Sequence, residues 1–145
     1  MKRQIIGWRE WLALPELKIA RIKAKIDTGA RTSALHTFSI ETMAVGGQPR
    51  VRFGIHPYQN RVDIEQYCTA DIIDERWVTD SGGHKEKRLV IVTAVQFGID
   101  RWPIEITLTN RETMRFRMLI GRAAMSHRFS VNPDKSYLLG KPTKE

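Results

Sequence analysis

Asp27 stands directly after an apolar run and directly before a small hydroxyl residue and a glycine, in Ala24-Lys25-Ile26-Asp27-Thr28-Gly29-Ala30. A carboxylate so placed can do acid–base work on a water molecule. The same residues also suit a plain strand-end turn, with Gly29 supplying a positive φ and Thr28 a local hydrogen bond. A second apolar run, Phe116 to Ile120, ends at Leu119-Ile120-Gly121-Arg122. Cys68 is the only cysteine; with no base near it in sequence, it reads as a buried small hydrophobe rather than a nucleophile. His36, His56, His84 and His127 are scattered, without the His-Glu-x-x-His or Cys-x-x-Cys spacing of a metal site. No Gly-x-x-x-x-Gly-Lys loop is present to cradle phosphates. Neither a metal nor a cofactor is expected.

The elements that must position Asp27 have a period of two. Ile22, Ala24 and Ile26 alternate with Arg21, Lys23 and Lys25, as in a strand with one buried face. Val51, Phe53 and Ile55 repeat the pattern, as do Trp102, Ile104, Ile106 and Leu108. Leu89 to Phe97 is apolar on both faces, the signature of a central strand. Gly46-Gly47-Gln48-Pro49, Asp80-Ser81-Gly82-Gly83, Gly98-Ile99-Asp100 and Asn132-Pro133-Asp134 supply turns between such runs. One short helix is expected near Arg122 to His127. Many short strands with glycine-containing turns predict an all-β sandwich or barrel.

The chain has 145 residues, with no repeat or linker to divide it, and is read as a single domain over residues 1–145. It carries 24 basic and 16 acidic residues, a net charge of +8, and a pI near 10.0. Such a field attracts polyanions, although the basic residues are spread along the chain. No apolar stretch approaches the roughly 20 residues that cross a bilayer. With one cysteine and no secretion signal, the expected location is cytoplasmic.

Taken together, Gly7-Trp8-Arg9-Glu10-Trp11, the stretch from Lys23 to His36, and Leu108-Thr109-Asn110-Arg111 leading to Met118-Leu119-Ile120-Gly121-Arg122 resemble the retropepsin-like aspartic peptidases. The resemblance is to a bacterial family of such domains known as ATP-dependent zinc proteases. That family is often linked to ATP-grasp ligases that add glutamate to proteins. The resemblance covers nearly the whole chain and implies a closed retropepsin-like barrel with one short C-terminal helix. If ATP matters, the linked ligase is expected to use it, and the residues lend the zinc in the name little support.

The resemblance assigns Asp27 as the catalytic carboxylate and Thr28, Gly29, Ala30 and Gly121 as its supporting loops. Two carboxylates about 3 Å apart cannot both ionise, so one keeps a proton. The ionised one takes a proton from water while the other donates to the substrate carbonyl. One chain must then find a second aspartate. Asp80-Ser81-Gly82 comes only 53 residues after Asp27, too few for a second lobe, and polar His84-Lys85-Glu86-Lys87 follows it. A hairpin tip is the better reading. It falls where a retropepsin flap should lie, so Ser81, Gly82, Gly83 and His84 are expected to close over a peptide substrate. The second Asp27 must come from another copy, which implies a symmetric homodimer. The interval from Asp27 to Leu119, 92 residues, exceeds the retropepsin spacing. The surplus is expected around Gly46-Gly47 and in Tyr58 to Asp74.

Arg31 departs from the retroviral pattern, where an acid four residues after the catalytic aspartate pairs with the arginine of the later glycine motif, here Arg122. Arg31 and Arg122 cannot pair. Near the cleft they either weaken catalysis that needs a shared proton or select an acidic, glutamate-rich substrate. Trp77 is expected to line the cleft or an interface, and Trp102 to pack in the core. Two other functions compete: a non-catalytic basic β-barrel binding RNA or an acidic protein, and a peptidase scaffold that dimerises without turnover.

Overall fold

The computed structural model describes residues 3–58, 61–79, 82–110 and 115–141. In chain order its elements are β1 (Gln4–Ile6), β2 (Arg9–Leu14), β3 (Ile19–Ile26), β4 (Ser33–His36), β5 (Ser39–Val45) and β6 (Gln48–Ile55). They continue with β7 (Gln66–Asp71), β8 (Asp74–Thr79), β9 (Lys85–Phe97), β10 (Asp100–Thr109), β11 (Met118–Ile120), α1 (Arg122–Met125) and β12 (Phe129–Val131). A single turn of 3-10 helix, Pro15–Leu17, joins β2 to β3.

Alternation explains the strands. In β3, Ile19, Ile22, Ala24 and Ile26 are buried while Arg21 and Lys23 between them are half-buried and Lys25 is exposed. Val51, Phe53 and Ile55 are buried in β6, and Trp102, Ile104, Ile106 and Leu108 in β10. The central run is longer than expected: β9 starts at Lys85 and pairs successively with β8, β10 and, through Gln96, with β2. The run is not buried along both faces, since Val92 is exposed.

The pairings β10–β4–β11–β3–β2–β9 return to β10 through the β9–β10 hairpin, so six strands run in ring order. Only one residue pair, Ala13↔Gln96, joins β2 to β9. The result is the barrel-like, mostly β fold that the strand pattern implies. The surplus between Asp27 and Leu119 lies where expected: β5, β6 and β7 form a separate three-stranded meander. Its first turn is Gly46-Gly47, both at positive φ (59° and 81°), flanked by the pair Val45↔Gln48. That geometry fits a type I′ turn, whose twist suits two paired strands and whose φ values suit glycine.

The C-terminal segment closes the fold. β12 pairs in parallel with β1, and the chain then crosses β2, where the Tyr137 N–H donates to the Arg9 carbonyl at 3.0 Å. A fully buried carboxylate holds the crossing. Glu10 accepts the backbone N–H groups of Gly7 at 2.7 Å, Leu138 at 3.0 Å and Leu139 at 3.2 Å.

Candidate active site

Parallel pairing puts two loops side by side. β3 and β11 align with Ala24 beside Met118 and Ile26 beside Ile120, and both chains leave the sheet at the same end. The Asp27 N–H donates to the Ile120 carbonyl at 2.9 Å, so Asp27 and Gly121 emerge next to each other. Asp27 is half-buried, and its Oδ1 accepts the Gly29 N–H at 2.9 Å.

The turn differs from the plain reading of its residues. Gly29 is not among the glycines at positive φ, and Thr28 is exposed. What holds the turn is the Asp27 side chain on the Gly29 amide. A Cβ at Gly29 would stand only 3.2 Å from Asp27 Oδ1. Glycine therefore leaves room for the carboxylate rather than serving a left-handed backbone.

Gly121 is required by proximity. A Cβ there would lie 2.7 Å from the carbonyl carbon of Thr32 and 2.8 Å from the carbonyl carbon and oxygen of Arg31. The short helix α1 continues the contact: the Arg122 N–H donates to the Ala30 carbonyl at 2.8 Å and the Ala123 N–H to that of Arg31 at 3.0 Å. The Arg122 guanidinium also faces the loop, donating through Nη1 to the carbonyls of Thr28 at 3.3 Å and Gly29 at 3.2 Å. This accounts for the missing acid. Arg122 holds the Asp27 loop by its backbone oxygens, so a carboxylate at position 31 is not needed to keep it there.

Ser33 is a supporting residue that sequence reasoning missed. It is 1% exposed, its Oγ accepts the Gly121 N–H at 3.1 Å, and its carbonyl accepts the Thr107 hydroxyl at 3.2 Å. The available signal was a hydroxyl residue placed directly before the apolar pair Ala34-Leu35.

A cavity of about 1030 Å³ opens beside this loop. Gly29, Ala30 and Arg31 form one wall; Arg76 to Thr79 of β8, together with Trp102 and Glu105 of β10, form others. Asp27 itself is not among its lining residues. β8 and β9 make the expected hairpin, with Thr79 paired to Lys85. Gly82, Gly83 and His84 are exposed at its tip, and Ser81, with Asp80, lies outside the described residues. Trp77, 69% exposed, faces the cavity from the hairpin, whereas Trp102 is buried and donates Nε1 to the Ala124 carbonyl at 3.0 Å.

The charges in the cavity are mostly basic. Arg76 binds Glu105 through two bonds of 2.6 and 3.2 Å and reaches Asp74 at 2.8 Å. Its guanidinium holds both carboxyls below the usual carboxylate range, chiefly through those hydrogen bonds. Arg31 adds a smaller attraction on Glu105. Arg76 is thus committed to internal partners. Arg31 and Arg128, the latter 4.2 Å over the Trp102 ring, complete the basic lining. Arg122 sits behind the loop and does not line the cavity.

Among the described residues, no three His, Cys, Asp or Glu side chains come together to hold a metal ion. His56 is buried and stacks on Phe38 at 4.3 Å, while His84 and His127 are exposed. Cys68 is buried, which pushes its thiol up to about 11. It is protonated at neutral pH and unsuited to nucleophilic attack. No helix among the described residues is long and apolar enough to cross a membrane.

Proteins named probable alpha-L-glutamate ligase are similar to this chain. That of Shewanella pealeana is 44% identical over 137 residues and that of Shewanella halifaxensis 45% over 137, each covering 94% of the chain. The protein of Desulfotalea psychrophila is 41% identical over 143 residues, or 99% of the chain. The chain spans only about 30% of the length of these relatives. The zinc-protease name carried by the sequence resemblance is not among these descriptions. A crystal structure of a Legionella pneumophila protein of unknown function shares the fold, with a TM-score of 0.76 at 23% identity, over 95% of this chain and 99% of that one. Residues 5–142 match the description "Retropepsin-like aspartic endopeptidase RimB", and the chain belongs to this RimB-like family.

Proposed function

We propose that the chain is an aspartic endopeptidase that works as a homodimer, each copy contributing Asp27 to a dyad that shares one proton. The observation carrying this reading is the clamp on the Asp27 loop: Gly121 packed against it, α1 donating two amides to it, and Arg122 binding its carbonyls. A plain turn has no need of such support, whereas two carboxylates that must meet across a two-fold axis need a fixed backbone. The ionised Asp27 would take a proton from water as the protonated one donates to the scissile carbonyl. Their apparent pKa values would belong to the pair. Thr28 and Ala30 would hold the loop beside its symmetry mate. The tip at Gly82, Gly83 and His84 would close over substrate and exclude water. Water is the nucleophile, so no cofactor enters.

The substrate class follows from the basic cavity. Arg31 and Arg128 of the cavity lining suit an acidic peptide, and of the two Arg31 lies nearer Asp27 in sequence. The names of the relatives point the same way: a peptidase domain sharing a chain with a glutamate ligase, or acting beside one in the cytoplasm, would meet glutamate-rich segments. The test is hydrolysis of a glutamate-rich and a neutral peptide of equal length. Wild-type protein should favour the acidic one, Asp27→Asn should cleave neither, and Arg31→Ala should lose the preference. Unchanged preference in Arg31→Ala would remove Arg31 from substrate selection; full activity in Asp27→Asn would refute the peptidase reading.

A further inference from the structure

The outer face of β2 and β3 carries a second concave site that shares no residue with the flap cavity. A groove of about 400 Å³ is lined by Trp11, Lys23, Pro57, Tyr58, Arg61 and Ile64. Antiparallel register places Trp11 opposite Lys23 and Arg9 opposite Lys25, so rings and cations interleave on one face. The C-terminal segment adds more of both. Tyr137 lies 6.1 Å from Trp11, and Lys141 stands 5.5 Å over the Trp11 ring, with Lys23 at 5.0 Å. Arg9 lies 4.6 Å over Trp8 and 5.0 Å over Tyr137. Arg61 has a carboxylate partner, Asp63 at 2.6 Å. Arg9, Lys23, Lys25 and Lys141 make no ion pair with a carboxylate among the described residues.

Cations alone would suit any polyanion. Rings discriminate: an aromatic face is electron-rich and gives a carboxylate nothing, whereas it stacks on a nucleobase of any sequence. We propose that this face binds single-stranded nucleic acid, with Lys23 and Lys141 swinging off the Trp11 ring to join Arg9 and Lys25 on phosphates as Trp11 and Tyr58 take bases. The proposal does not depend on peptidase activity. It also separates two origins for the net charge, one serving the flap cavity and one serving this groove.

The test titrates the full chain into a fluorescein-labelled oligouridylate of about 12 nucleotides, followed by anisotropy from roughly 50 to 200 mM salt. Four phosphate contacts on a single strand predict that log K falls with log salt at a slope of about −3. Lys23→Gln with Lys141→Gln should weaken binding at least about tenfold near 100 mM salt and bring the slope to about −1.4. Trp11→Leu should weaken it about tenfold with the slope unchanged, and Asp27→Asn should leave it unaltered. Should Trp11→Leu unfold the chain, the two lysines, neither of them buried, decide the matter by slope alone. Equal binding and slope in the lysine variant would overturn the proposal. So would competition by polyglutamate as effective as by unlabelled oligouridylate, which would make this an acidic-peptide face.

Discussion

Replacing Gly121 with alanine places one methyl group where the Asp27 loop now runs. The new Cβ would stand 2.7 Å from the Thr32 carbon and 2.8 Å from the Arg31 carbonyl group, all backbone atoms with no side-chain freedom to yield. Restoring ordinary contact requires the two loops to part by about 0.7 Å. That movement stretches the bonds from the Arg122 and Ala123 amides to the Ala30 and Arg31 carbonyls, now 2.8 and 3.0 Å, beyond hydrogen-bonding range. Overpacking of this kind costs about 1–3 kcal/mol. At about 2–4 °C per kcal/mol for a chain near this size, Gly121→Ala should lower Tm by roughly 2–12 °C. Activity should suffer more than stability, since misplacing a reacting group by about 1 Å can cost about 100-fold in rate. Calorimetry beside a peptide-cleavage assay at a temperature where both proteins are folded reads the two effects separately. Wild-type Tm and wild-type turnover together would refute the close packing of these loops and the role given to it.

Glu10→Ala should cost about 2 kcal/mol or more in urea unfolding, because one buried amide, at about 1–3 kcal/mol, and two part-buried ones lose their acceptor. A loss under about 1 kcal/mol would mean that Glu10 does not secure the C-terminal segment. Cys68 should resist thiol reagents near neutral pH in the folded chain and react quickly in denaturant, since burial pushes its thiol up to about 11. The native state then holds a proton that the unfolded thiol, at its ordinary 9.0, has begun to lose. Stability should fall as pH rises from about 9 to about 11, and Cys68→Ala should flatten that part of the curve. Fast labelling of native protein at neutral pH would contradict this placement of Cys68.

The barrel strands were legible because burial on one face writes itself into alternate residues, as at Ile22, Ala24 and Ile26. The Gly46-Gly47 turn was legible because paired positive φ values leave few residue choices. β8 was not. Its Asp74-Glu75-Arg76-Trp77-Val78-Thr79 run is exposed or half-buried along both faces, and it is tied to its neighbours by charges such as Lys87 to Glu75 at 3.1 Å rather than by an apolar stripe. The position of Asp27 followed from its motif, but the duties of its neighbours did not. Arg122 was expected near the cleft, and its hold on the carbonyls of Thr28 and Gly29 was not foreseen. Gly29 was read for its φ and is needed for the space beside Asp27 Oδ1. Both depend on which loop packs behind which, and that is decided by the parallel β3–β11 pair, whose partners lie more than ninety residues apart. Glu10 was hidden for the same reason: two of its three amides, those of Leu138 and Leu139, come from a segment at the other end of the chain.

The central claim is that two copies of Asp27 meet, and the most direct measurement is their separation in an experimental structure of the full-length chain. The account predicts a two-fold dimer with the carboxylates about 3 Å apart, close enough to share a proton. A monomer, or a dimer holding the two Asp27 side chains far apart, would contradict it.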